Sequence, residues 1–116
     1  MIQMANETAI LFDHRTEGVS PIRFDGELKM LKLLLGVKMV DTIRLDRDHI
    51  VFVDDEGLMN KISSGFALHY RDHTIKFAGS GLLVGDSHGE IAPITLNLAD
   101  LKIDVLKYHY DDTEEA

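Results

Sequence analysis

Between Asp25 and Gly57 the chain reads as an amphipathic helix followed by two apolar strands, each running into an acidic turn. Asp25 is placed to cap the helix, and Glu27 sits in its first turn, where the helix dipole favours a carboxylate. Leu28, Leu31 and Leu35 recur on one face, Met30, Leu33 and Leu34 widen it, and Lys29 and Lys32 keep the opposite side wet. Gly36 is a natural terminator through a left-handed conformation. A helix of about ten residues does not persist alone, so this one needs a layer to pack against.

The strands supply that layer. Met39 to Leu45 carries Val40, Ile43 and Leu45, and Asp46-Arg47-Asp48-His49 forms a polar turn. Ile50 to Val53 is apolar on both faces, which predicts a central strand. Asp54-Asp55-Glu56-Gly57 then turns the chain toward Leu58 to Ile62, most simply as a hairpin.

Elsewhere Thr8 to Phe12 predicts a first strand, Asp13 to Pro21 a loop, and Ile22 to Phe24 a short extended piece. Ser63 to Tyr70 is open between a helix, with Phe66 and Tyr70 on one face, and an irregular excursion. Thr74 to Phe77 and Gly81 to Val84 are short strand candidates, and Asp86-Ser87-His88-Gly89 turns the second toward Glu90 to Thr95, with Pro93 at a strand end. Asn97 followed by Asp100 resembles a capping box, so a final helix is predicted with Leu98, Leu101 and Val105 inward. The fold class expected is α+β, a small antiparallel or mixed sheet covered by two main helices. One domain is expected over residues 1–116, with 111–116 a disordered acidic tail.

Composition narrows the chemistry. Cysteine is absent, which excludes disulfides, thiol catalysis and sulfur-ligated metals. Twenty acidic residues stand against twelve basic ones, a net charge of −8 that disfavours binding to a phosphate backbone and favours a partner with a basic surface. The N-terminus lacks a basic region followed by an apolar run, and the longest apolar stretches are too short to cross a bilayer. A cytoplasmic location is therefore expected, with no membrane partner.

No motif nominates a catalytic residue, a cofactor or a metal. His69 and His73 would share a helix face, but Tyr70-Arg71-Asp72 between them lacks the glutamate of a zinc-hydrolase helix. Asp86-Ser87-His88 holds the residue types of a hydrolytic triad, yet such groups must converge in space rather than in sequence. Gly79-Ser80-Gly81, with Gly85 and Asp86 beyond, is a candidate ligand loop without the Gly-Lys-Ser/Thr ending of a nucleotide cradle. Close packing of the glycines is the simpler expectation. The candidate interaction residues are Asp54, Asp55 and Glu56 for electrostatic steering, with Asn60 and Tyr70 for shorter contacts.

The segment from Asp25 to Val53, continued by Asp54-Asp55-Glu56-Gly57-Leu58, resembles the DUF3846 family, small proteins of unknown function often encoded in phages and mobile bacterial elements. The shared pattern comprises Leu28, Leu31, Leu34 and Gly36 in an early helix and turn, the acidic-glycine turn, Asn60 downstream, and Leu82-Leu83-Val84-Gly85-Asp86 leading to a last hairpin. The chain carries Met59-Asn60-Lys61-Ile62 where the family has Leu-Pro-x-Asn, and Gly36 stands without a second glycine beside it. The resemblance implies a cytoplasmic accessory protein acting in a phage-infected bacterium and transfers no catalytic residue. The function expected is noncatalytic interaction or regulation, with a host protein as target. The alternatives are a small nucleotide or phosphoester hydrolase using His69, His73 or His88, and a nucleotide sink without turnover. An apolar strand edge leaves a homodimer open.

Overall fold

In the computed structural model, which describes residues 8–57 and 61–109, the elements are β1 (Ala9–Asp13), β2 (Gly18–Ile22), α1 (Leu28–Leu35), β3 (Val40–Asp46), β4 (His49–Asp54), β5 (Ser64–Tyr70), β6 (His73–Ala78), β7 (Gly81–Ser87), β8 (Glu90–Ala92), a 3-10 turn (Leu98–Asp100) and β9 (Leu101–Lys107). The larger sheet runs β2-β1-β7-β4-β3, with β8 beside β7 in line with β1; the smaller runs β6-β5-β9. Every pairing between described strands is antiparallel.

Side-chain alternation sorts the apolar residues into two layers, one on each face of the larger sheet. Ile10, Phe12, Val51, Val53 and Leu83 face the smaller sheet and meet Phe66, Leu68, Tyr70, Phe77 and Leu101. On the other face Ala9, Leu82 and Val84 meet Phe24 and the buried Leu31 and Leu35 of α1. Each such buried side chain contributes roughly 1.5–3 kcal/mol, and β4 and β7 collect this on both faces. The expectation that Ile50 to Val53 is central therefore holds: β4 lies between β3 and β7.

The expected pair of covering helices is corrected to one. α1 ends as anticipated, with Gly36 at φ +69° and its N–H on the Lys32 carbonyl at 2.8 Å. Its N-terminus does not use Asp25, whose carboxylate accepts the Glu27 N–H outside the helix. Leu28 and Leu33 are 56% and 74% exposed, so the apolar face is narrower than its leucine count suggests. The second predicted helix does not form. Asn97 does accept the Ala99 N–H, but the cap starts only the single 3-10 turn. From Leu101 the chain pairs residue for residue with β5 over seven positions. Leu101 and Val105 share a helical face, but with Ile103 they equally fit an alternating period, and the β-branched pair favours the strand.

Two further expectations change. Asp13 to Pro21 is a hairpin rather than a loop, since β2 pairs with β1 from Asp13↔Gly18 to Ala9↔Ile22. Asp54 to Gly57 does not close a hairpin either, because β4 belongs to the larger sheet and β5 to the smaller. Of Ser63 to Tyr70, open between helix and excursion in the sequence, Ser64–Tyr70 is the central strand of the smaller sheet.

Phe77 of the smaller sheet packs on the larger one where β7 carries glycine. A Cβ on Gly81 would fall 2.6 Å and 2.7 Å from Cε2 and Cζ of Phe77, so this ring lies on bare backbone. Phe77 is also one corner of a ring cluster, 6.2 Å from Phe12 and 5.9 Å from Phe66. Gly81→Ala is expected to lower stability by about 1–3 kcal/mol, because a methyl is forced into a filled layer. Adding Phe77→Leu, which removes the obstructing ring, should recover part of that loss relative to the sum of the single changes. Denaturant titration of the four proteins measures the coupling; strict additivity would exclude the Cβ–ring clash as the cause.

Candidate functional site

The acidic turn begins where β4 ends. Asp54 Oδ1 accepts the Glu56 N–H at 2.8 Å, and the Asp55 N–H donates to the Met39 carbonyl at 3.1 Å. Gly57 follows, buried so close to the β6 terminus that a Cβ would sit 2.7 Å from the Ala78 carbonyl. The chain thus crosses between sheets here, and the return crossing from β6 to β7 lies directly beside it. Between them opens a recess of about 280 Å³ with Ile43, Val53, Phe77 and Ala78 in its walls and Asp54, Asp55 and Lys76 among its polar lining. Apolar walls with carboxylates at the rim suit a cation on an aliphatic stem.

Of the residues expected to join this surface, Asn60 lies outside the described residues. Tyr70 is 2% exposed in the core, with the Arg71 guanidinium carbon 4.9 Å from its ring centre. It stands six residues along β5 from Ser64, about 20 Å from the acidic turn at the rise of a strand. The structure brings Asp54, Asp55 and Glu56 together and leaves Tyr70 apart.

The glycine-rich segment is built into the packing. Gly79, at φ +87°, makes the turn between sheets. Ser80 is 1% exposed, and its Oγ accepts the His14 N–H at 3.1 Å. Ser64 Oγ donates to the His14 carbonyl at 3.1 Å, so the β1–β2 turn is stitched to the crossing. Burial, followed by the Arg15 charge, holds the His14 imidazole below its usual range, against the opposing pull of Asp13 and Asp54. Phe77 covers Gly81, and Gly85 lies under the Pro93 carbonyl, 2.3 Å from an added Cβ.

Asp86 belongs to a second locus, an open cleft of about 640 Å³ between the β3–β4 and β7–β8 turns. Arg44 organises it. One guanidinium nitrogen donates to the carbonyls of Asp46 and Arg47 at 3.1 Å and 3.0 Å, the other to Asp86 Oδ2 at 2.5 Å. The Arg44 hydrogen bond is the main cause that holds the Asp86 carboxyl below its ordinary value, with the Gly89 N–H helping. Ser87 and His88 are exposed on the lining beside Arg47, and Asp86 is committed to Arg44 rather than to a triad.

The remaining histidines are scattered. His69 joins Thr74 Oγ1 at 3.1 Å and Asp104 Oδ2 at 2.8 Å across the outer face of the smaller sheet. His73 and His109 are exposed. His49 is different: 3% exposed, it holds Asp46 Oδ1 at 2.9 Å through Nδ1, while Nε2 accepts the N–H groups of Thr95 and Leu96 at 3.0 Å and 3.2 Å. Two donors on Nε2 place the ring proton on Nδ1. The sequence showed the Asp46–His49 turn but nothing of its acceptor role, whose donors lie 46 and 47 residues away. The recess walls were equally hidden, since they come from β3, β4 and β6.

Among the described residues no group of three or more His, Asp or Glu is placed to hold a metal ion, and no helix is long and apolar enough to cross a membrane. No family model, curated protein or solved structure matches the chain.

Removing the His49 ring, as in His49→Ala, should cost about 2–4 kcal/mol, since two N–H groups and a carboxylate lose their partner. Burial pushes the Asp46 carboxyl up, but hydrogen bonds from His49 and Asp48 outweigh it and the net direction is down. A carboxyl depressed on folding stabilises fully above its unfolded value of about 3.9 and loses that contribution as pH falls through the folded value. Asp46→Asn is therefore expected to flatten the acid limb of stability against pH, measured by thermal melts from about pH 6 down to 2.

Proposed function

We propose that the chain is a noncatalytic interaction or regulatory protein that docks a basic segment of a partner protein at the acidic turn. The observation that carries this is the pairing of Asp54 and Asp55 with an apolar recess between the sheets. Asp54 and Asp55 line the recess with Lys76, and Glu56 follows them in the turn, so two acidic side chains meet one basic one among the residues of its lining. An acidic surplus raises the encounter rate with a basic partner, and the recess gives a lysine or arginine stem an apolar bed. The setting we infer, a cytoplasmic phage accessory factor acting on a host protein, comes from the resemblance to the DUF3846 family.

The cleft at the other locus supports a second, weaker role, the binding of a small phosphorylated ligand. Arg47, Ser87, His88 and Thr95 line it with the chemistry a phosphate needs. Arg44, however, is already neutralised by Asp86, and Asp48 adds an opposing charge.

Asp55 and Glu56 offer carboxylates whose removal spares the Asp54 turn. Affinity capture with the wild-type chain and with Asp55→Asn/Glu56→Gln, at low and at high salt, should yield a partner retained by the first and lost by the second. Retention that is indifferent to both the substitutions and the salt would reject this surface.

A further inference from the structure

Among the described residues the two sheets have five edge strands, and of these β8 is only three residues long. β2 carries the exposed Pro21, which has no N–H to offer. On β3 the Thr42 N–H is taken by Asp41 Oδ1 at 2.8 Å, and the ladder to β4 shifts register between Arg44 and Asp46. β6 packs across the layer against β3 and β4. β9 is longer and carries charged side chains, but has none of the features just described. It holds seven consecutive residues in unbroken register with β5 and contains neither proline nor bulge.

The Tyr108 N–H bonded to the Ser63 carbonyl at 2.8 Å sets the hydrogen-bond phase of this pairing. Lys102, Asp104 and Leu106 therefore turn their backbone groups toward β5, and Leu101, Ile103 and Val105 turn theirs outward. The Leu101 N–H is used by the Leu98 carbonyl. The Leu101 carbonyl and both groups of Ile103 and Val105 have no hydrogen-bond partner among the described residues.

We propose that this edge is a self-pairing surface and that its partner is a second copy of the chain, joined antiparallel about a two-fold axis at Ile103. The charge pattern of Leu101-Lys102-Ile103-Asp104-Val105 inverts about its centre. Centred there, Lys102 stands opposite the partner's Asp104 and Asp104 opposite the partner's Lys102. The neighbouring registers allowed by the same phase are centred on Lys102 or on Asp104, and each sets a like charge against itself. Only the Ile103 register pairs both charges. It also gives mutual hydrogen bonds between the two Ile103 residues, and from each Val105 N–H to the partner's Leu101 carbonyl. Val105 is on the core-facing side yet 39% exposed, and the partner's Leu101 would cover it. Asp104 already meets His69 Nε2 through Oδ2, which leaves its other oxygen for the lysine.

Sedimentation equilibrium of the full chain tests this with two charge reversals, Lys102→Glu and Asp104→Lys. The wild type should form dimers, and each variant alone, having two like-charged pairs, should dissociate with a Kd roughly ten-fold higher or more. An equimolar mixture should restore association, because the heterodimer regains both opposite-charge pairs. Asp104→Lys also removes the His69 partner, so Lys102→Glu decides the single-variant result, with far-UV circular dichroism confirming that it is folded. A wild type that stays monomeric across the whole concentration range would overturn the proposal. So would a dimer that Lys102→Glu leaves unweakened, or a mixture that fails to recover.

Discussion

The fold rests on a central pair of strands buried on both sides. β4 and β7 pair along five residues, from His49↔Gly85 to Val53↔Gly81. Leu82 and Val84 project to α1, while Leu83 projects to the smaller sheet. Glycine at 81 leaves bare backbone under Phe77 of the second layer, and glycine at 85 does so under the Pro93 carbonyl of the connector. A packed interior has no slack for a methyl at such points. Phe77 also lines the recess at the acidic turn, with Gly57 beside it.

His49 extends that order to the last described strand. β8 leaves the larger sheet at Ala92, and the segment after it must cross to reach β9. Nε2 of His49 takes the N–H groups of Thr95 and Leu96 midway along this crossing, so a buried ring replaces the ladder that the connector lacks. Unpaired backbone N–H groups beside a core are costly, and a single side chain satisfies two of them. The position of β9, and hence the edge it leaves open, is tied to a residue in the opposite sheet.

The sequence showed α1, Gly36 and the central strand because each is a local pattern: a helical stripe, a terminator and a run of apolar residues. It misled at Asn97 to Leu106, where a true capping residue and leucines at helical spacing coexist with strand alternation. What decides there is the partner strand β5, which no window of that segment contains. The acidic turn was legible because its carboxylates are contiguous. Its recess was not, because Ile43, Val53, Phe77 and Ala78 meet only after three strands are assembled. Tyr70 failed as a surface residue for the same reason, being an inward position of a strand whose pairing was undetermined.

The acidity itself divides into two kinds. Asp13, Asp25, Asp46 and Asp54 each accept the backbone N–H two residues on, and Asp86 accepts that of Gly89. These carboxylates are turn chemistry: an aspartate at a strand end supplies the bond the ladder no longer provides. Five of the twenty acidic residues are thus used by the turns of a chain with many short strands. A partner surface has to be sought among carboxylates free of that duty. At the β4–β5 crossing the division falls within three residues, since Asp54 shapes the turn and Asp55 is left facing solvent at the mouth of the recess. Charge reaches recognition here only where the turn that holds it is already stabilised by its neighbour.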